Sequence, residues 1–163
     1  MLLFKAQKEV VIKASPEKDF AIVSDIARHN LLAGSGEVLK IRRLTEGSVG
    51  IGTKFEADED IKVGPSRMKF VATSEIVSYN PPTEFSWTSS PPANMSPKMR
   101  RIQWWFKIQP QQESVRLTHE VEVEAMSAAL TTAFRLPYRM MRGGTIKKGM
   151  ERTLANIKKA AET

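Results

Sequence analysis

The chain of 163 residues is 41% apolar and 26% charged, and its formal charge at pH 7 is +7. These proportions exclude disordered and collagen-like chains, and the length suits one hydrophobic core, so we expect a single domain spanning residues 1–163. The absence of cysteine excludes disulfides, thiolate metal sites, iron–sulfur clusters and cysteine nucleophiles. No apolar run reaches the roughly 18 residues of a membrane span, and Lys5 comes too early for a signal peptide, so we expect a cytoplasmic protein.

The first third of the chain predicts one strand and one helix. A β-rich run over residues 9–13 ends before Ser15, which can cap a helix whose first turn accommodates Pro16. Apolar residues then recur at helical spacing to about residue 27. Residues 29–36 form a short irregular or helical connection that is interrupted by glycine.

The middle of the chain predicts an antiparallel sheet. Glycine, proline, asparagine and serine separate six strand candidates. No helix-length pattern interrupts them, so we expect a meander and not alternating strands and helices. The candidates cover residues 38–44, 53–63, 68–79, 84–89, 100–109 and 115–125.

A cavity is predicted between this sheet and a C-terminal helix. From Ile146 to Ala161, apolar residues fall within one arc of the helix, with small residues beside them and charged residues opposite. Such a narrow face cannot fill the concavity of six or seven strands, which leaves space for a ligand. We expect the walls to be formed by Phe55, Phe70, Phe85, Trp87, Trp104, Phe106, Leu117, Val121, Met150, Thr153 and Leu154.

Two ionisable residues are predicted to point inward. In a strand, alternate side chains share a face, which places His119 with the valines of 115–125 and Glu59 with the apolar residues of 53–63. Either could transfer protons or orient a polar group of a ligand. Equally, His119 could be a core histidine satisfied by a neighbour, and a bulge could turn Glu59 to solvent. No metal-binding motif is present, and we expect neither a metal nor a cofactor.

The positive charge is concentrated near the C-terminus. Residues 135–163 contain eight basic and two acidic residues, and so carry +6 of the net +7. Arg135, Arg139 and Arg142 follow helical spacing and predict one cationic stripe, although Pro137 and the glycines at 143 and 144 should break or bend the helix. The stripe could form a mobile lid, dock on an anionic membrane surface or an acidic carrier protein, or simply be a solvated helix face. Nucleic acid is not expected, because the strands supply no continuous basic aromatic surface.

Several short motifs follow one another along the chain. They are Val11-Ile12-Lys13-Ala14-Ser15-Pro16-Glu17 leading to Val23-Ser24-Asp25-Ile26, Val49-Gly50-Ile51-Gly52-Thr53-Lys54-Phe55, Tyr79-Asn80-Pro81-Pro82 with Phe85-Ser86-Trp87, Trp105-Phe106, Val115-Arg116-Leu117-Thr118-His119, and Gly149-Met150-Glu151 with Leu154. In these motifs and their order, the sequence is similar to the START/polyketide-cyclase-like (SRPBCC) proteins, which share the helix-grip fold of the major birch pollen allergen. This resemblance implies an α+β protein with a curved seven-stranded antiparallel sheet around a long C-terminal helix, enclosing a hydrophobic cavity. The tryptophan often found after the first helix is absent from residues 26–38, which border the cavity mouth in relatives.

Three functional hypotheses follow. The first is binding of a small hydrophobic or amphipathic molecule, lipid-like or polyketide-like, in the cavity. The second is a polyketide cyclase, aromatase or dehydratase in which His119 and Glu59 transfer protons. The third is a docking module that uses the basic C-terminal face.

Overall fold

One antiparallel sheet dominates the computed structural model, which describes residues 1–92 and 99–163. In these residues seven strands are arranged in the order β1-β7-β6-β5-β4-β3-β2. From β2 to β7 each strand pairs with its neighbour in sequence, which confirms the predicted meander, and β1 joins beside β7. The strands are β1 (Leu2–Ile12), β2 (Val38–Arg43), β3 (Lys54–Val63), β4 (Ser66–Asn80), β5 (Glu84–Ser90), β6 (Met99–Pro110) and β7 (Val115–Ala125).

Strand β1 is longer than the predicted run over residues 9–13. It pairs with β7 from Leu2 to Ile12, with a shift in register between Leu2 and Phe4. The irregularity accompanies burial of both Leu3 and Phe4, although they are adjacent in sequence. The strict alternation used for the prediction does not anticipate this pair.

A short helical segment follows β1 and covers one end of the sheet. It consists of α1 (Pro16–Val23), a 3₁₀ turn (Ile26–Arg28) and α2 (His29–Leu32). As predicted, Ser15 caps α1: its Oγ accepts a hydrogen bond from the Lys18 N–H at 3.2 Å, and Pro16 occupies the first turn. The helix ends at Ser24, whose hydroxyl donates to the Phe20 carbonyl at 2.7 Å.

The long C-terminal helix is continuous from Ala128 to Ala161 and contains one widened turn. It comprises α3 (Ala128–Tyr138), a π turn (Arg139–Gly143) and α4 (Gly144–Ala161). The sequence predicts a break or a bend at Pro137 and the glycines; the helix is not broken, and Pro137 lies inside it. Because proline lacks the N–H that would bond to the carbonyl four residues earlier, the helix is locally weakened just before the π turn. Where the helix crosses β1, a Cβ on Gly143 would lie 3.1 Å from the Phe4 ring.

Two buried clusters hold the C-terminal helix on the sheet. The first joins Leu154 and Ile157 near the end of α4 to Phe20 of α1 and to the aromatic residues of β5 and β6. The second joins Ile146 and Met150 to the apolar residues of β1 and β7. The helix is thus packed on the sheet through both halves of α4.

Candidate functional site

An apolar cavity of about 500 Å³ lies between the concave face of the sheet and the C-terminal helix. This volume falls within the usual range of small-molecule sites. Strands β3 to β7, α2, the loop before β2 and the C-terminal helix all contribute to its walls. The predicted residues found in these walls are Phe55, Phe70, Trp87, Trp104, Phe106, Met150 and Thr153.

Four residues predicted to line the cavity lie instead in the packed core. Phe85, Leu117 and Leu154 belong to the cluster that α1 covers, and Val121 belongs to the cluster beneath the start of α4. Their inward direction follows from alternation along the strands and the helix. Alternation gives no information on where along a strand another element packs, and here α1 and α4 fill that end of the concavity.

His119 forms part of the cavity wall and is buried among aromatic rings. Its ring centroid lies 4.3 Å from that of Phe106, with the planes 17° apart. Nδ1 lies 3.0 Å from the Trp105 carbonyl oxygen. Since a carbonyl only accepts, Nδ1 carries the proton, and Nε2 is left with a lone pair and has no hydrogen-bond partner in the described chain. Burial lowers the pKa of His119 to about 4, so that the ring is neutral at pH 7.

His29 is a second histidine of the cavity, which the sequence analysis did not select. Its Nε2 lies 2.7 Å from the Val23 carbonyl oxygen, and its ring lies 5.1 Å from that of Trp87. Burial lowers the pKa of His29 as well. Because the Val23 carbonyl can only accept, Nε2 of His29 carries the proton and Nδ1 is left with a lone pair. His29 could have been selected from the sequence because it lies within residues 26–38, the stretch that borders the cavity mouth in relatives.

Near-parallel aromatic rings connect the two histidines. The ring planes of Trp87 and Trp104 are 15° apart, and their centroids are separated by 6.3 Å. The ring planes of Trp104 and His119 are 25° apart, and their centroids are separated by 5.4 Å. Phe106 continues this arrangement beside His119. Trp87 and Trp104 are half-buried and both line the cavity. A flat ligand ring can therefore stack on this wall, within reach of neutral hydrogen-bond acceptors.

Glu59 lines the cavity, as alternation along β3 predicts. It pairs with Phe70 in an uninterrupted β3–β4 register, so the alternative in which a bulge turns Glu59 to solvent is wrong. Burial and, to a lesser extent, the negative charge of Glu37 raise the pKa of Glu59 to about 7, while Arg142 opposes the shift. Glu59 thus titrates near neutral pH.

Arg142 is directed into the protein and does not form a stripe with Arg135 and Arg139. Its guanidinium donates to both carboxylate oxygens of Glu37, at 2.7 and 2.9 Å, and to the Lys62 carbonyl at 2.8 Å. Arg135 and Arg139 are exposed. The predicted stripe assumes an unbroken α-helix, whereas the π turn adds a residue per turn and rotates position 142 inward.

The two polar parts of the cavity lie on different strands, with three other strands between them. His119 lies on β7 and Glu59 on β3, four strand steps away. At about 4.8 Å per step this separation is roughly 19 Å along the curved sheet. The sequence hypothesis grouped these residues at one catalytic centre, but the structure places the imidazoles against the ring wall and Glu59 beside Glu37 and Arg142.

Other kinds of site find no support in the described residues. In residues 1–92 and 99–163, no group of three or more histidine, aspartate or glutamate side chains is arranged to hold a metal ion. Within the same ranges, no helix has the length and hydrophobicity needed to cross a membrane.

The curved sheet, the long helix and the apolar cavity between them define a helix-grip protein. The chain belongs to the family described as polyketide cyclase/dehydrase and lipid transport, whose family model matches residues 4–162. The START/polyketide-cyclase-like resemblance and the predicted fold class are therefore confirmed. No curated protein sequence matches the chain significantly.

Solved structures of similar shape come from plants and bacteria. Ginseng major latex-like protein 151 from Panax ginseng has a TM-score of 0.69 and 9% identity, over 98% of each chain. The Zhui aromatase/cyclase from a Streptomyces species has a TM-score of 0.69 and 12% identity, over 98% of this chain and 93% of its own. A START superfamily protein from Mycobacterium smegmatis has a TM-score of 0.66 and 14% identity, over 96% of this chain and 98% of its own. At such low identity these structures show a shared fold alone.

Proposed function

We propose that the protein binds a small, flat, largely apolar molecule bearing at least one hydroxyl group. The observation that carries this proposal is the pair of neutral histidines beside the near-parallel rings of Trp87 and Trp104. The family relationship supports the coarser statement, since the family is described by polyketide chemistry and lipid transport, both of which concern hydrophobic small molecules.

Hydrogen-bonding chemistry selects the hydroxyl group. Each imidazole uses its N–H on a backbone carbonyl, so the remaining nitrogen of His29 or His119 can only accept. A ligand O–H satisfies such a buried acceptor, whereas a ligand ketone or ether leaves it unsatisfied. Apolar burial drives binding, at about 25 cal/mol per Å², and the histidines orient the bound molecule.

Proton transfer is a second candidate function, and it favours Glu59 over His119. A catalytic acid or base works best when its pKa lies near the working pH. Glu59, with a pKa of about 7, meets this condition, whereas His119, with a pKa of about 4, is a weak base. A cyclase or dehydratase of this chain would therefore act at the end of the cavity that holds Glu59. The cytoplasmic location stays a prediction, as does docking through Arg135 and Arg139.

Paired ligands test the binding proposal. Titration of 2-naphthol and naphthalene, followed by calorimetry, compares the same ring system with and without an O–H donor. We expect 2-naphthol to bind about fivefold more tightly than naphthalene, because one additional hydrogen bond contributes about 1 kcal/mol net. His119→Phe or His29→Phe should reduce this preference, and Trp105→Phe, on the outer face of the sheet, should not. The proposal fails if neither compound binds, or if both bind equally to the wild-type protein.

A further inference from the structure

The outer surface of α3 is largely apolar although it faces solvent, and Thr132 and Arg135 are its exposed polar residues. The helix has one charged residue, Arg135, in 11 residues. Its inner side, with Leu130 and Phe134, packs against the cluster of β1 and β7. On the outer side Leu136 is 64% exposed and Met140, just beyond α3, is 76% exposed. Helices that are apolar on both sides are normally covered on both sides, so this surface indicates a further contact.

Unpaired cations accompany these apolar side chains. Arg135 and Arg139 are exposed and form no ion pair with the described residues, and Lys147 and Lys148 are exposed farther along the helix. No acidic residue occurs between Glu124 and Glu151 in the sequence. The surface therefore matches a partner that is both apolar and anionic. A second copy of the chain does not fit, because a two-fold contact would place like charges against each other.

The same part of the helix forms a wall of the cavity. Phe134, Pro137 and Met141 line the cavity, and Met141 is also 45% exposed. The Met141 side chain lies beside Gly64, at the turn between β3 and β4. The exposed apolar residues thus adjoin the region where the helix meets the tip of the sheet.

We propose that Leu136 and Met140, flanked by Arg135 and Arg139, dock the protein on a membrane surface that contains anionic lipid. The alkyl side chains enter the boundary between head groups and acyl chains, and the guanidinium groups bind lipid phosphates. The exposed groups of this docking surface are almost entirely alkyl and cationic, which is the complement of that boundary. The purpose of docking rests on the proposed binding function, since an apolar ligand could pass from the bilayer to the cavity without crossing water.

Vesicle flotation tests the docking surface. The full chain is mixed with vesicles of phosphatidylcholine containing 30% phosphatidylglycerol, or of phosphatidylcholine alone, at low and high salt. We expect binding to the anionic vesicles only, and weaker binding at high salt. Arg135→Gln with Arg139→Gln should lower the partition coefficient about 25-fold, at about 1 kcal/mol per cation. Leu136→Ser with Met140→Ser should lower it at least tenfold.

A charge-matched control variant carries Lys18→Gln and Lys159→Gln. Both lysines are exposed and lie away from α3, Lys18 on α1 and Lys159 about 30 Å from Arg139 along the helix axis. This control should float like the wild type. The proposal is overturned if anionic vesicles do not bind the wild type, or if all variants bind equally. Binding to an acidic carrier protein in the absence of vesicle binding also overturns it.

Measuring 2-naphthol binding on the same samples separates the two proposals. Leu136 and Met140 do not line the cavity. Their variants should therefore keep the wild-type affinity for 2-naphthol while binding more weakly to anionic vesicles. Vesicle binding without naphthol binding would reject the proposed function and leave the docking surface standing. The reverse result would reject the docking surface alone.

Discussion

Arg142 and Glu37 form a two-point ion pair between the C-terminal helix and the residue before β2. Both side chains are largely buried, with 12% and 15% of their surfaces exposed. The Glu37 backbone carbonyl also accepts from the Asp60 N–H at 2.9 Å, which ties this loop to β3. The pair therefore joins the helix, the loop and the sheet at the end of the cavity that contains Glu59.

A double-mutant cycle on this pair should show strong coupling. Arg142→Met leaves Glu37 and Glu59 as two neighbouring buried carboxylates, and Glu37→Gln leaves the guanidinium with a weaker partner. We expect each single change to lower the free energy of unfolding by about 2–3 kcal/mol, because an unpaired buried charge is costly. The double variant should lose less than the sum, with a coupling energy of about 1–3 kcal/mol in urea titrations. Additive losses would show that the pair contributes no net interaction.

Glu59→Gln should change the pH dependence of stability. The folded-state pKa of Glu59 is raised from 4.5 to about 7. Between these values the folded state holds a proton that the unfolded state has lost, so the wild type loses stability as the pH rises. We expect the variant to match the wild type near pH 4.5 and to exceed it by about 3 kcal/mol at pH 8. Thermal unfolding across this range measures the difference.

Glu113→Gln, in an exposed turn, is the control for that experiment. It replaces an exposed carboxylate by the same amide and so measures the effect of the substitution away from the cavity. A difference between Glu59→Gln and the wild type that does not change with pH would contradict the buried, protonated state of Glu59.

Strand faces could be predicted from the sequence because β-strand side chains alternate strictly where the register is regular. This reasoning placed Glu59 and His119 inward. Alternation puts Glu120 on the opposite face from His119, yet Glu120 is buried there between the ammonium groups of Lys5, at 2.6 Å, and Lys107, at 2.9 Å. Those partners come from the two neighbouring strands, so only the pairing of β7 with β1 and β6 reveals them.

Arg142 and His29 show what alternation cannot supply. The inward direction of Arg142 depends on the π turn, a change in helix geometry that a period of 3.6 residues does not contain. His29 belongs to a four-residue helix whose placement against Trp87 is a tertiary contact. Sequence periodicity therefore predicted the cavity, its main walls and the inward direction of Glu59 and His119. The positions of Arg142 and His29 could be found only from the packing.

Asp19→Asn should stabilise the protein at neutral and alkaline pH. Asp19 is fully buried in α1, and neither carboxylate oxygen has a hydrogen-bond partner among the described residues. Burial raises the pKa of Asp19 from 3.8 to about 6. The folded wild type therefore becomes less stable as the pH rises through this interval, and the amide variant has nothing to titrate.

The expected advantage of Asp19→Asn is small near pH 4 and about 3 kcal/mol at pH 8. Urea unfolding at several pH values gives this difference directly. Glu17→Gln, an exposed residue of the same helix, serves as control and should show no such trend. If Asp19→Asn were destabilising at pH 8, an unrecognised partner would have to stabilise the ionised carboxylate.

Gly34→Ala should loosen the loop that closes the cavity against α4. The Gly34 N–H donates to Thr153 Oγ1 at 2.9 Å. A Cβ at position 34 would lie 2.5 Å from the Thr153 backbone nitrogen, which cannot move without distorting the helix. We expect a loss of about 3 kcal/mol in unfolding free energy, typical of overpacking, and weaker naphthol binding, because Thr153 lines the cavity.

Gly144→Ala provides the matched change in the same helix. A Cβ at position 144 would meet nothing within 4 Å. Its φ of −67° is helical, so alanine should stabilise the protein by about 0.5–1 kcal/mol and leave naphthol affinity unchanged. If Gly34→Ala were as well tolerated as Gly144→Ala, the loop would have to yield easily, and its contact with Thr153 would not close the cavity.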